Sequence, residues 1–258
     1  MTKPKRDLYD PFKERPNTVQ TAIAKSMMLP VPAGRLSVIA EADRDNLFRD
    51  IGFADLLARC HDFYSISRNP KDYVLQALPI IWTELPNRNG IASPLKALTE
   101  WNKVKGCSAY QGWKGQAVRV EHDWEGPAIG IIPDVTLRRL KGYTNDTLWK
   151  LIVLHAVDRS KDPERAEKLA KGQHNSWSMG CLADRQLCSI CGTDINQRCA
   201  HLQAKQMMGI WNGMLAFRVA YGIQAEESSM VDDPAYGQAI GIRTIVMDKN
   251  PNNVRSSK

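Results

Sequence analysis

The sequence predicts an α+β protein built on a mostly antiparallel sheet or barrel with a few surrounding helices. Three observations predict it. Short apolar or alternating runs, separated by turn residues, recur from about residue 73 to 247. Only a few stretches carry helical spacing or helix caps. No segment repeats another, so a solenoid or propeller is not expected.

The elements follow in chain order. Residues 1–34 are rich in Pro, Lys and Arg without a sustained period, and read as an extended or disordered arm. Leu47, Ile51, Leu56, Leu57, Cys60 and Phe63 recur at helical spacing and predict a helix over 42–66, with Gly52 bending or splitting it. Val74-Leu75 and Ile80-Ile81-Trp82 are strand-like, and PNRNG at 86–90 is a turn. SPLKALTEWNKV predicts a helix with Ser93 as its N-cap and Pro94 in the first position. AVRVE at 117–121 alternates as a half-buried strand does, and 128–132 and 148–157 are further apolar strands. Asp162, Pro163 and Gly172 cap, open and end a short helix. Strands are predicted at 175–182, 214–221, 223–231 and 239–247. The chain thus divides into an arm with a helical extension (1–72), a strand-rich domain (73–247) with a cysteine-rich insertion at 181–201, and a polar tail (248–258).

The bulk numbers bound the partners. A chain of 258 residues can bury one good core with at most a small appendage. No run of about 18 apolar residues offers a membrane span, and the N-terminal stretch has no apolar signal region. A cytoplasmic protein is therefore expected. The net charge is +7, but the basic residues are dispersed rather than gathered into a block. Nucleic acid is not expected as a specific ligand.

Four of the six cysteines lie between 181 and 199. Clustered cysteines in a reducing compartment favour a metal over disulfides. Cys188-x2-Cys191-Gly192 is a knuckle, and Cys199-x-His201 follows it. Cys188, Cys191, Cys199 and His201 would make a closed tetrahedral set suited to a structural zinc. Cys181 is a fifth candidate for four places. Cys60 and Cys107 read as small buried hydrophobes. A zinc held on all four sides by protein has no open position for substrate, so it would hold a loop and not act on one.

A serine hydroxyl becomes a nucleophile when an imidazole takes its proton and a third group orients that imidazole. Ser178 lies just before the cysteines. Among the five histidines, His122 ends an alternating strand and precedes a turn, where a side chain can enter a cleft. His61 falls in the long helix, His155 in an apolar strand as a satisfied core residue, His174 in a turn, and His201 in the cysteine cluster. Glu227 heads a strand that ends in DDPA, with Glu226 beside it as the rival.

Three segments in this order resemble the tailed-phage head-maturation (prohead) proteases, a family related in fold to the herpesvirus assemblins. The first has His122, Asp123, Pro127, Ile129 and Gly130. The second has Gly172 and Ser178-Met179-Gly180. The third has Glu227, Ser229, Met230, Val231, Pro234 and Ala235. The PNRNG turn and the helix after it are also similar to the start of that domain, and the likeness spans roughly 75–240. It implies an assemblin-like protease domain and a serine endopeptidase with Ser178 as nucleophile, His122 as base and Glu227 as third member. It implies scaffold and major capsid precursors as substrates, cleavage of the chain itself, and work inside an assembling capsid in the host cytoplasm. A homo-oligomer is compatible with it. Backbone amides near Ser178, or Arg218, are the oxyanion candidates. The order His, Ser, acid differs from those of chymotrypsin, subtilisin and the α/β-hydrolases. The cysteine-rich stretch is absent from the simplest members. The other expectation from the residues is a zinc-stabilised binding module for nucleic acid or protein, without catalysis.

Overall fold

The structure, a computed structural model, describes residues 52–140, 147–174, 176–202 and 208–237, and from there 239, 241, 243–246 and 256–257. The predicted arm, the first part of the long helix and most of the tail lie outside the described residues. Three α-helices are present among those described: α1 (Phe53–Tyr64), α2 (Leu95–Thr99) and α3 (Pro163–Ala170). The strands are β1 (Tyr73–Trp82), β2 (Ile91–Ala92), β3 (Trp101–Asn102), β4 (Cys107–Ser108), β5 (Ala117–Val120), β6 (Gly130–Arg139) and β7 (Trp149–Asp158). They continue with β8 (Trp177–Cys188), β9 (Ile210–Trp211), β10 (Met214–Leu215), β11 (Arg218–Met230), β12 (Arg243–Val246) and β13 (Ser256–Ser257).

One curled mixed sheet dominates, in the order β13-β12-β1-β7-β6-β5-β11-β2, with β8 pairing β11 along its length. Most pairs are antiparallel, but β5 and β2 lie parallel to β11. The sheet forms a half-barrel, and both faces of its central strands are covered. Val74 and Leu78 of β1, and Leu151, Val153 and Val157 of β7, enter the inner core with Trp113 and Trp177. Tyr73, Leu75, Ala77, Ile152, Leu154 and Ala156 face outwards, beneath α1. That two-sided burial explains why β1 reads as an unbroken apolar run and not as an alternation. Its Pro79 falls at a bulge, past the described pairing with β12, a place where a strand tolerates proline.

α1 starts after Gly52, whose φ of 61° lies in the left-handed region that glycine enters freely. It buries Phe53, Leu56, Leu57 and Cys60. Phe63, counted in the predicted apolar face, is 44% exposed, and Ile66 beyond the helix is buried instead. The helix at 93–104 is shorter than predicted. Pro94 is its N-cap, no side chain caps it, and the chain extends again at Glu100 to begin β3. The Leu95 N–H is satisfied from outside, by Glu84 Oε1 at 3.0 Å. α3 follows the sequence closely, with the Asp162 carboxylate accepting from Arg165 N at 2.9 Å and Gly172 at φ 68° behind it.

Of the two strands predicted at 214–221 and 223–231, Met214–Leu215 form β10, and from Arg218 the rest is one strand, β11, carried through Gly222 to Met230. Gly222 has φ 63°, and a Cβ there would lie 2.2 Å from Asp184 Oδ2. The strand predicted at 175–182 runs on to Cys188, so the first part of the expected insertion is ladder.

His155 is fully buried and stacks on Trp177, with ring centroids 4.0 Å apart and planes 5° from parallel. The expected hydrogen-bond partners are missing among the described residues: neither ring nitrogen has one. Burial pushes its pKa down from 6.5 to about 3, so the ring is neutral in the folded protein. The unfolded chain therefore takes up a proton here that the folded chain refuses. Stability present near neutral pH should fall as pH drops from about 6.5 towards 3. In urea unfolding across that window, His155→Phe should flatten the pH dependence by on the order of a few kcal/mol. An unchanged slope would mean that His155 does not titrate in this way.

Candidate functional site

The three predicted segments converge where β5, β11 and β8 lie side by side. Glu227 of β11 is opposite Gly180 of β8 on one edge and Ala117 of β5 on the other. Ser229 is opposite Ser178. Residues directly opposite in an antiparallel pair share a face, so Ser178, Gly180, Glu227 and Ser229 form one patch.

A bulge makes that patch. Ala225 pairs with Cys181 and Glu227 with Gly180, so Glu226 is an extra residue in β11. Before the bulge, Ile223 and Ala225 enter the inner core; after it, Met230 does. One inserted residue reverses the alternation and turns Glu227 and Ser229 onto the face of Ser178. The Lys105 ammonium donates to the Ala225 carbonyl beside the bulge. Glu226, the rival acid, is the inserted residue, and His122 bonds Glu227.

Glu227 is fully buried. Gly180 leaves the space for it: a Cβ there would lie 2.2 Å from Glu227 Oε1. The carboxylate has two side-chain partners. Oε1 is 2.6 Å from His122 Nδ1, and Oε2 accepts from Ser229 Oγ at 2.5 Å. A buried carboxylate is costly unless its oxygens are bonded, and both are. Its backbone carbonyl takes a further bond from the Trp113 indole at 3.2 Å.

His122 reaches this carboxylate through a tight turn after β5. Glu121 and His122 both adopt the left-handed conformation, at φ 49° and 55°. Such a pair of non-glycine residues costs on the order of 1 kcal/mol each and must be held by its contacts. Glu121 N donates to Met230 O at 3.0 Å and His122 N to Ser229 Oγ at 3.1 Å. Asp123 closes the turn, its Oδ1 accepting from Glu125 N and Gly126 N. It is therefore a turn staple. The imidazole is 37% exposed while its acid partner is sealed.

Ser178 is 7% exposed. Among the described residues no hydrogen bond joins its hydroxyl to His122. Its carbonyl accepts from Ser228 Oγ at 3.0 Å. His174 bonds the Val231 carbonyl at 3.4 Å, and His61 bonds the Ile66 carbonyl, so neither competes with His122 for Glu227. Arg218, an oxyanion candidate, is misplaced for that role. It pairs with Cys188, ten residues from Ser178 along β8 and roughly 30 Å of strand away. It donates there to the Asn89 carbonyl at 2.9 Å.

The other recognised segments have structural duties. Gly130 lets β6 approach β7, since a Cβ would lie 2.0 Å from the Ala156 carbonyl. PNRNG meets the DDPA turn: Arg88 N donates to Ala235 O at 2.9 Å, and the Arg88 guanidinium pairs with Asp233.

At the far end of β8, Cys188, Cys191, Cys199 and His201 gather within 4.8 Å of one another and could hold a metal ion. Cys191 and Cys199 Sγ are 3.5 Å apart, too far for a disulfide. His201 Nδ1 is 3.8 Å from Cys188 Sγ and 3.7 Å from Cys199 Sγ. Thiolates at about 2.3 Å from a tetrahedral zinc would be about 3.8 Å apart, so the set fits. Gly192, at φ 70°, turns the knuckle, and Ile190 N points at Cys188 Sγ at 3.4 Å. Hydrogen bonds from Thr193, then from His201, bring the Cys191 thiol down to about 6, while burial and the neighbouring Cys191 and Cys188 push the Cys199 thiol up, so the two thiols share their protons and the case for a metal rests on the geometry. Cys181 is outside the set. Burial, reinforced by Glu226 and Glu227, pushes its thiol up to about 12. The sequence reading missed the Asn212-Gly213 hairpin that joins β9 to β10, both residues being left-handed. Trp211 of that hairpin sets its ring edge-on to His201, with centroids 4.9 Å apart.

No family model, curated protein or solved structure matches the chain. The geometry stands by itself.

Gly180→Ala should displace the Glu227 carboxylate from His122. Placing a methyl against a buried charge should lower unfolding stability by about 1–3 kcal/mol. Urea denaturation checks it, and a variant as stable as the wild type would show that the contact is slack.

Proposed function

We propose that the chain is a serine endopeptidase of viral capsid (prohead) maturation, with Ser178 as nucleophile, His122 as base and Glu227 as orienting acid. The observation that carries the reading is the sealed Glu227 carboxylate, bonded to His122 Nδ1 and facing Gly180 two residues from Ser178. A carboxylate can only accept, so it keeps the proton on Nδ1 and leaves the lone pair on Nε2.

In the reaction Ser178 Oγ bonds to the scissile carbonyl carbon while its proton passes to His122 Nε2. The tetrahedral adduct collapses, the C–N bond breaks, and His122 returns that proton to the leaving amine. Water then attacks the acyl-serine, giving a proton to His122. The Ser178 ester bond breaks, and the proton goes back to Ser178 Oγ. Glu227 balances the imidazolium in both halves. With Arg218 distant, backbone N–H groups near Ser178 are left to stabilise the oxyanion. Because Ser178 and His122 are not hydrogen-bonded in the free protein, substrate would complete their alignment.

The substrates in this reading are the capsid scaffold and major capsid precursors, and the chain itself, inside an assembling capsid. The described residues contain no helix long and apolar enough to cross a membrane. Cys188, Cys191, Cys199 and His201 would hold a structural zinc that ties the knuckle to the outer end of the β8–β11 ribbon. The ion would supply a cross-link and no chemistry at Ser178. A second reading, a zinc-stabilised binding module, is favoured by the same cluster. It offers no reason for the sealed Glu227–His122 contact.

Co-expression with the capsid precursor separates the two. Wild type should cut the precursor and Ser178→Ala should leave it whole, read by gel and by mass spectrometry of the new termini. Equal cutting by both, or by neither, would reject the peptidase. Metal analysis of the reduced protein should find about one equivalent of zinc, falling well below half when Cys199 is replaced by Ser. A metal-free, folded wild type would remove the zinc.

A further inference from the structure

We propose that Ser229 is a positioning residue that locks the base and the acid of the site together; this rests on the peptidase reading above. Ser229 is fully buried, so it is not a spare nucleophile. Its one proton is committed to Glu227 Oε2 at 2.5 Å, and its oxygen accepts the backbone N–H of His122 at 3.1 Å. A hydroxyl can do both at once, and a methyl or a carboxylate cannot.

Each bond answers a specific weakness. A carboxylate held at one oxygen can rotate and let go of the imidazole. With Oε2 fixed by Ser229, Oε1 stays on His122 Nδ1. The turn that carries His122 contains two left-handed non-glycine residues and needs anchoring. Ser229 anchors it at the strained residue itself. Spacing makes this possible. Glu227 and Ser229 are two residues apart on one strand, so they share a face, and Ser229 sits directly across from Ser178. The Glu226 bulge brings both onto that face together. Ser229 touches no substrate in this scheme; it acts by holding His122 and Glu227 in register with Ser178.

The test uses the full chain and a fluorophosphonate, which reports serine activation without knowledge of the substrate. The Ser178 Oγ–P bond forms, the P–F bond breaks, fluoride leaves, and the hydroxyl proton passes to His122 Nε2. Saturation kinetics separate the maximal labelling rate from the half-saturating concentration. Ser229→Ala should lower the maximal rate by about tenfold or more and leave half-saturation within about twofold. Ser229→Thr, which keeps the hydroxyl, should recover most of the loss. In a Glu227→Gln background Ser229→Ala should cost little more, because the two act as one unit. If Ser229→Ala does not fold, Ser229→Cys, close in size and a weak donor, carries the same expectations. Labelling of Ser229→Ala within about twofold of wild type, or losses that multiply with Glu227→Gln, would overturn the proposal. If wild type and Ser178→Ala label alike, the peptidase reading falls and this inference with it. If labelling depends on Ser178 but ignores Ser229, the inference alone fails.

Discussion

The fully buried carboxylate of Glu227 is the constraint on which the site depends. An acid sealed from water needs donors at both oxygens and room on every side. His122 and Ser229 supply the donors. Gly180 supplies the room, since any Cβ there would collide with Oε1. The left-handed turn at Glu121–His122 is the backbone cost of bringing the imidazole back over β11, the strand beside the one it has just left. The Glu226 bulge is the cost of turning Glu227 away from the core that Ile223 and Ala225 occupy. These features have one common result: a charge held out of water beside a half-exposed imidazole.

The fold places this result at the junction of parallel and antiparallel pairing. β5 runs parallel to β11, so it exits at Met230, and its following turn falls back over Ser229 and Glu227. β8 runs antiparallel on the other edge and delivers Ser178 and Gly180 to the same face. Behind it, Trp177 and Met179 point the other way and join the inner core, where Trp177 stacks on His155 and donates to Gln76 at 2.6 Å. The Ser-x-Gly pattern is therefore set twice over: alternation assigns alternate residues to core and site, and Glu227 requires glycine at 180. At the opposite end of the same ribbon, the cysteine cluster closes a loop well away from that face. Two chemistries adjacent in sequence are separated by the length of a strand.

Much of this was legible in the residues. Asp162, Pro163 and Gly172 marked α3 because capping and turn chemistry are local. The four metal candidates were legible because short spacing on a glycine turn leaves them few other places to go. The convergence of His122 with Glu227 was inferred from a resemblance, and the contact between them is now explicit. The bulge at Glu226 was not legible, because the residues after it, Glu227–Met230, are all buried and leave no alternation against which one inserted residue would show. Ser229 looked like one small residue in a motif, since nothing local reveals that its hydroxyl bonds two residues more than 100 positions apart in the chain from one another. Arg218 was misjudged because a short separation from Glu227 in the sequence becomes a long one in space when the chain between them is an extended strand.

The most direct measurement is the tautomer of the His122 ring near neutral pH, read by nitrogen-15 and proton NMR on protein labelled in histidine. A proton on Nδ1 with a far-downfield resonance, a bare Nε2, and loss of that resonance in Glu227→Gln are expected. A ring protonated on Nε2 alone, or a spectrum indifferent to Glu227, would contradict the pairing of His122 with Glu227.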